Sequence, residues 1–275
     1  MKMTNVEEVF TRIDNPIVEE ITKHIESIGI ELECNIPNDE YDDFEAKWNE
    51  HANFEKHYDG SINTIRFCTT REYCFWSKSL KDVEKFLKDA YENGHIQTDR
   101  SCGFHIHFKF KDMSISKIFS YRDTFKYVIS EYVRMVSKKD EEEVTKWMVR
   151  LHNHYCNSKY CMTKIKRQLE TRRKDWKSRY CAINHNSVYV NKTLEFRLPP
   201  YQSSWQEAVK TLKWSINTFE NVITNVIDKG YIVQKENMKY RPKKEERLIE
   251  KRLIQEKQPI KIKIGVKKKL GGEKL

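Results

Sequence analysis

The sequence predicts an α+β fold, an antiparallel sheet with helices inserted between its strands and packed on one face, and three observations lead there. Short segments of strict two-residue alternation, above all Phe104-His-Ile-His-Phe-Lys-Phe110, are separated by stretches of helical periodicity. Apolar residues make up 38% of the chain and aromatics 12%, enough for a sizeable core. There is no internal repeat, and the helical stretches fall between strands rather than in a block of their own.

Taken in order, Asn15-Pro16 followed by Ile17, Ile21 and Ile25 has the form of an N-cap, a first-turn proline and an apolar stripe, which predicts a helix ending before Gly29. A strand is expected at Gly29–Asn35, then an acidic insertion or short helix over 38–56, then a second strand at Ser61–Thr69. Ser79 can cap a helix whose Val83, Phe86, Leu87 and Ala90 share a face and which Gly94 stops. The alternating run 104–110 follows as a half-buried strand. Residues 114–177 read as a helical insertion, with Ile118, Phe119, Tyr121, Phe125, Val128, Tyr132 and Met135 roughly at helical spacing. Strands return at Tyr180–Asn184 and Thr193–Leu198. Pro199-Pro200 then breaks the chain before a helix at Ser204–Lys229, opened by a Ser204…Glu207 capping box and ended by Gly230. Residues 1–235 are thus expected to form one domain, and 236–275 a basic helical or disordered tail.

Charge narrows the function classes. The formal net charge is +10, yet Met238–Leu275 carries fourteen Lys plus Arg against five Glu, so the basic character belongs to the tail. Nucleic-acid binding through that tail is an alternative function. Its alternating signs suit a solvated helix, however, and its last residues lack aromatics for base stacking. Seven scattered cysteines without a secretory leader predict reduced thiols and a cytoplasmic protein. No apolar run is long enough to span a membrane. Heavy use of Lys, Asn, Ile and Tyr with sparse Gly and Pro hints at an AT-rich genome, such as that of a phage or a low-GC bacterium.

Three strands carry the chemistry. Glu31 and Glu33 in Gly-Ile-Glu-Leu-Glu-Cys project from one face of a strand, and two carboxylates so placed repel unless a cation lies between them. His105 and His107 share a face opposite Phe104, Ile106 and Phe108. Glu195 and Arg197 share a face opposite Leu194, Phe196 and Leu198, and a carboxylate beside a guanidinium suits a site where the acid holds a metal and the arginine forks onto phosphoryl oxygens. Arg179 and Asn184, at the preceding strand, can add polar contacts. Two rival sets also stand out: Cys102 with His105 as nucleophile and base, and His152, His154, Cys156 and Cys161 as a zinc set of no common spacing.

The segments GIELEC, HYDGSI, SCGFHIHF, RYCAIN and KTLEFRLPP, in this order and spacing, resemble the amidoligase family, which is similar to glutamine synthetase and gamma-glutamyl-cysteine ligase; the resemblance covers about residues 28–230. It implies a glutamine-synthetase-like curved antiparallel sheet forming a funnel with helices outside. It also implies ATP and Mg²⁺ or Mn²⁺ as cofactors, and amide formation through an acyl phosphate. The substrates implied are a carboxylate and an amine from an amino acid, peptide, protein or cell-wall fragment. Carried over, Glu31, Glu33, His105 and Glu195 look like metal ligands, His107, Asn184 and Arg197 like nucleotide contacts, and Arg197, Arg179 and Asp59 like catalytic residues. One departure is expected to matter: Arg66 stands where the family carries an acidic residue on the strand after Asp59-Gly60-Ser61, which leaves a cation short of a ligand unless Asp59 or Glu72 compensates; a degenerate amidoligase-fold protein that binds without catalysing is the alternative function this implies.

Overall fold

A computed structural model describes residues 22–38, 41–161, 164, 165, 168 and 179–228. The first part of the expected first helix, up to residue 21, and all of the basic tail lie outside them. Within them the chain is a six-stranded antiparallel sheet with helices, in the strand order β2-β3-β1-β4-β6-β5. The α+β expectation holds at that level.

β1 (Ile25–Pro37) lies centrally, paired with β3 (Cys68–Ser77) on one side and β4 (Phe104–Phe110) on the other. It begins four residues before the predicted strand, so Ile25 belongs to the sheet and not to a helix. Ile28, Ile30, Leu32, Cys34 and Ile36 alternate onto one buried face, and the pairing partners on both sides supply the ladder hydrogen bonds. The acidic insertion holds helix α1 (Tyr41–Asn49) and an edge strand unforeseen in the sequence, β2 (Phe54–His57), which pairs with β3.

The strand expected at Ser61–Thr69 is displaced. Residues 58–67 form a loop, and β3 begins at Cys68. Asn35 holds this loop through its side chain: Nδ2 donates to the Asn63 carbonyl at 3.1 Å, and Oδ1 accepts from the Ile65 N–H at 3.0 Å. Those two bonds occupy backbone groups that a strand would have used.

Helix α2 (Leu80–Glu92) and the extended β4 lie where expected, although the Ser79 side chain makes no capping hydrogen bond and both faces of β4, His105 and His107 included, are buried. The helical insertion contains a 3₁₀ turn (Met113–Ser120), α3 (Arg122–Val136) and α4 (Glu141–His152). Short β5 (Ile183–Asn184), α5 (Asn186–Val190) and β6 (Leu194–Phe196) follow, then α6 (Trp205–Ile223). Ser204 caps α6 by accepting from the Glu207 N–H at 3.2 Å, whereas the Glu207 carboxylate reaches back to the Ser203 N–H at 2.7 Å, one residue beyond a standard box.

The apolar face of the sheet packs beneath α2 and α6. Phe86 of α2 stacks on Phe75 of β3 with centroids 4.8 Å apart, and Phe219 of α6 stacks on Phe108 of β4 at 4.4 Å. Each fully buried large apolar side chain of this kind contributes roughly 1.5–3 kcal/mol. Lys213 and Glu84 join the two helices by an ion pair at 2.7 Å. The other face of the sheet is therefore left to its polar side chains. No described helix is long and apolar enough to cross a membrane.

Candidate active site

Strand register alone assembles the polar face. Glu31 lies opposite His105 on one neighbour and Cys74 on the other; Glu33 lies opposite Glu72; His107 lies opposite Glu195, and Glu195 opposite Asn184. Directly paired residues project on the same side of a sheet, so five strands contribute to one patch. Gly29 makes room there: a Cβ at this position would lie 3.2 Å from the His107 Cβ.

The acids and imidazoles are in contact. His105 Nδ1 lies 3.0 Å from Glu31 Oε2 and 3.7 Å from Glu195 Oε1, while its Nε2 lies 3.6 Å from Glu33 Oε1. His107 Nε2 lies 2.8 Å from Glu31 Oε1, close but outside good hydrogen-bond geometry, and its Nδ1 meets Thr193 Oγ1 at 2.8 Å and Ser187 Oγ at 3.2 Å. Glu195 accepts from Asn184 Nδ2 at 2.6 Å and from the Arg197 guanidinium. Arg197 Nε also donates to the Tyr155 carbonyl at 3.3 Å.

Two groups of ligand atoms on this patch, Glu31 with His105 and Glu195 and Glu33 with Asp59 and Glu72, each have all members within 4.8 Å of one another. Carboxylate-rich sets of this kind suit hard divalent cations. Electrostatics agrees with a demand for positive charge. Burial and the carboxylates of Glu31, Glu33, Asp59 and Glu195 push the Glu72 carboxyl up to about 8. Burial would also raise Glu31, but His107 and His105 outweigh it and hold that carboxyl well below the usual range. For His107, burial acts downward and the Glu31 charge prevails, raising the imidazole. Arg197 stays firmly charged, since the attraction of Glu195, Glu31 and Glu33 exceeds the burial penalty.

The structure therefore brings together Glu31, Glu33, Asp59, His105, His107, Asn184, Glu195 and Arg197. Arg179 is attached less directly: its guanidinium lies over the Tyr180 ring, which meets Tyr155 edge-on, the residue whose carbonyl Arg197 contacts. The expected loss at Arg66 is corrected. Arg66 is exposed in the 58–67 loop, its guanidinium over the Phe67 ring, and the acid on the next strand is Glu72, opposite Glu33. The apparent gap came from starting that strand too early.

The rival sets fare differently from the main one. Burial pushes the Cys102 thiol up to about 12, which disfavours the nucleophilic thiolate. His152, His154, Cys156 and Cys161 enter none of the metal-spaced groups among the described residues.

Three contributors were missed in the sequence. Arg150, from the helical insertion, is buried and donates from Nη2 to the Arg197 carbonyl at 2.9 Å. Thr193 and Ser187 fix the His107 ring. No local pattern marks Arg150, whereas Thr193 is adjacent to the Glu195 strand and could have been found there. Gly103 is the point of closest approach: its N–H donates to Glu33, and a Cβ on it would lie 2.7 Å from His105 Nε2 and 3.0 Å from both Arg150 Nη2 and Glu33 Oε2.

Comparison with known proteins assigns the family. The model described as "Putative amidoligase enzyme" matches residues 72–218, more than half the chain, and the protein belongs to that family of ligase-type enzymes. The matched span includes Glu72, both histidines, Glu195 and Arg197, while Glu31 and Glu33 join them by strand pairing from outside it. No curated protein and no solved structure matches the chain.

Proposed function

We propose that the protein is an ATP-dependent carboxylate–amine ligase that forms an amide through an acyl phosphate. The observation that carries this reading is the convergence of five carboxylates, two histidines and Arg197 on one polar sheet face in a member of the amidoligase family. In the reaction, a substrate carboxylate oxygen attacks the γ-phosphorus of ATP and ADP leaves. An amine then attacks the acyl carbon, phosphate leaves, and the nitrogen gives up one proton.

Mg²⁺ or Mn²⁺ held by Glu31, His105 and Glu195 and by Glu33 and Glu72 would neutralise phosphate oxygens and favour in-line attack. The protein's own residues supply the positioning. Arg197 is a buried, permanently charged fork, restrained by Glu195 and the Tyr155 carbonyl, and is suited to the transferring phosphoryl group. His107 has its ring orientation set by Thr193 and Ser187, so it can present a fixed contact to the nucleotide phosphates. Asn184 orients Glu195. Asp59, on the 58–67 loop, is the carboxylate we assign to the incoming amine and its proton. The substrate class stays at amino acids, peptides, proteins or cell-wall fragments.

The test is turnover. Purified protein with ATP and Mg²⁺ or Mn²⁺ should release ADP and phosphate when offered a panel of amino acids and peptides. Arg197→Ala should lower this by 10²-fold or more, on the order expected for removing a donor aimed at developing charge. Nucleotide turnover unchanged in Arg197→Ala would remove the reading.

A further inference from the structure

The edge of the sheet carries a second kind of donor set. We propose that His57, Glu72 and Cys74 form a separate site for a borderline-soft divalent cation, Zn²⁺ being the best match. The β2–β3 register pairs His57 with Glu72 and Glu55 with Cys74, so all four side chains project from the same face as the main cluster. One ligand atom from each of His57, Glu72 and Cys74 lies within 4.8 Å of the others.

An imidazole, a carboxylate and a thiolate are all zinc donors, whereas the neighbouring Glu33, Asp59 and Glu72 set is entirely oxygen. The thiol separates the two sites chemically, since hard cations such as Mg²⁺ take oxygen ligands. Three protein ligands on a tetrahedral ion leave one position open, and His57 is exposed, so the metal can reach the site from solvent.

The competing explanation is an edge strand with ordinary polar side chains, in which His57 simply pairs with Glu55 at 3.5 Å. That pair accounts for His57, and a long S–H donation from Cys74 Sγ to Glu72 Oε1 at 3.9 Å accounts for the half-buried thiol; what both leave in place is the convergence of three zinc-donor types within 4.8 Å. Burial and the Glu31 and Glu72 carboxylates hold the Cys74 thiol well above its ordinary range, as burial does for Cys102, so the charge of the metal itself has to displace the proton: binding would replace the Cys74 S–H bond with an S–metal bond and release that proton to solvent. Glu72 belongs to both donor sets, so a metal at the edge competes for, or shares, a ligand of the inner cluster. The proposal needs no ATP chemistry and does not depend on the ligase reading.

Co²⁺ serves as the spectroscopic probe on the full-length, metal-free protein. One equivalent should produce a near-ultraviolet thiolate-to-cobalt charge-transfer band with tetrahedral d–d absorption, and Zn²⁺ should abolish both by displacement. Cys74→Ser should lose the charge-transfer band. His57→Gln, at an exposed position that does not endanger folding, should weaken Co²⁺ at least tenfold with an unchanged circular-dichroism spectrum. Glu195→Ala, in the inner cluster, should retain the band. Absence of a thiolate band in the parent protein would overturn the proposal. So would a band that persists in Cys74→Ser, or undiminished Co²⁺ affinity in His57→Gln.

Discussion

Adding one methyl group at Gly103 tests the packing of the site more sharply than deleting any of its acids. The new Cβ of Gly103→Ala would lie 2.7 Å from His105 Nε2, and 3.0 Å from Arg150 Nη2 and Glu33 Oε2. Restoring ordinary contact requires the imidazole to retreat by roughly 0.7 Å and the other two groups by roughly 0.4 Å. His105 is fully buried between Glu31, Glu33 and Glu195, so its retreat disturbs three carboxylates at once. Overpacking of this kind costs about 1–3 kcal/mol in stability. A misplacement approaching 1 Å in a positioned site costs about 10²-fold in turnover. The variant should therefore unfold a few degrees below the parent by circular dichroism, bind Mn²⁺ at least tenfold more weakly by calorimetry, and lose about 10²-fold in ATP turnover. Wild-type Mn²⁺ affinity together with wild-type turnover in a folded Gly103→Ala protein would refute the reasoning, because it would mean that His105 and Glu33 do not act where Gly103 holds them.

Three further outcomes follow from particular residues. Burial pushes His185 down to about 4 from an ordinary 6.5, so its neutral form supports the fold above pH 6.5 and that support is lost as pH falls toward 4; the loss is about 3 kcal/mol. Urea denaturation of His185→Gln should show a correspondingly flatter dependence between pH 6.5 and 4, and an unchanged slope would count against the burial. Glu72→Gln removes a carboxylate that its neighbours already disfavour, so it should leave the metal-free melting temperature unchanged or higher while weakening Mn²⁺ at least tenfold by calorimetry. Equal Mn²⁺ affinity would exclude Glu72 as a ligand. Arg150→Met should lower stability by about 1–3 kcal/mol, because the Arg197 carbonyl loses a buried donor. A melting curve matching the parent would show that this bond is dispensable.

Where the pattern was strongest, sequence and structure agree closely. The strand Phe104–Phe110 has the predicted bounds because apolar and polar residues alternate without a break, and a sheet with one covered face rewards that alternation residue by residue. The helix after Ser79 agrees for a similar reason, with Val83, Phe86, Leu87 and Ala90 all on its buried side. Besides the unforeseen β2, two strand expectations failed for one shared cause. At Ile25 and around Ile62–Phe67, apolar residues fit more than one local conformation, and the choice came from distant partners: Phe110 on β4 for Ile25, and the Asn35 side chain for the loop.

The paired charges of each strand were thus decided locally, since a two-residue spacing puts Glu31 with Glu33 and His105 with His107 on common faces in any extended chain. Which pairs meet was decided by register, which no single segment contains. Tertiary structure set Glu33 opposite Glu72 rather than leaving Arg66 in that place, brought Asp59 in on a loop, and drew Arg150 across from a helix. Those contacts depend on long-range pairing and packing, where the energy of one residue is fixed by neighbours far away in the chain.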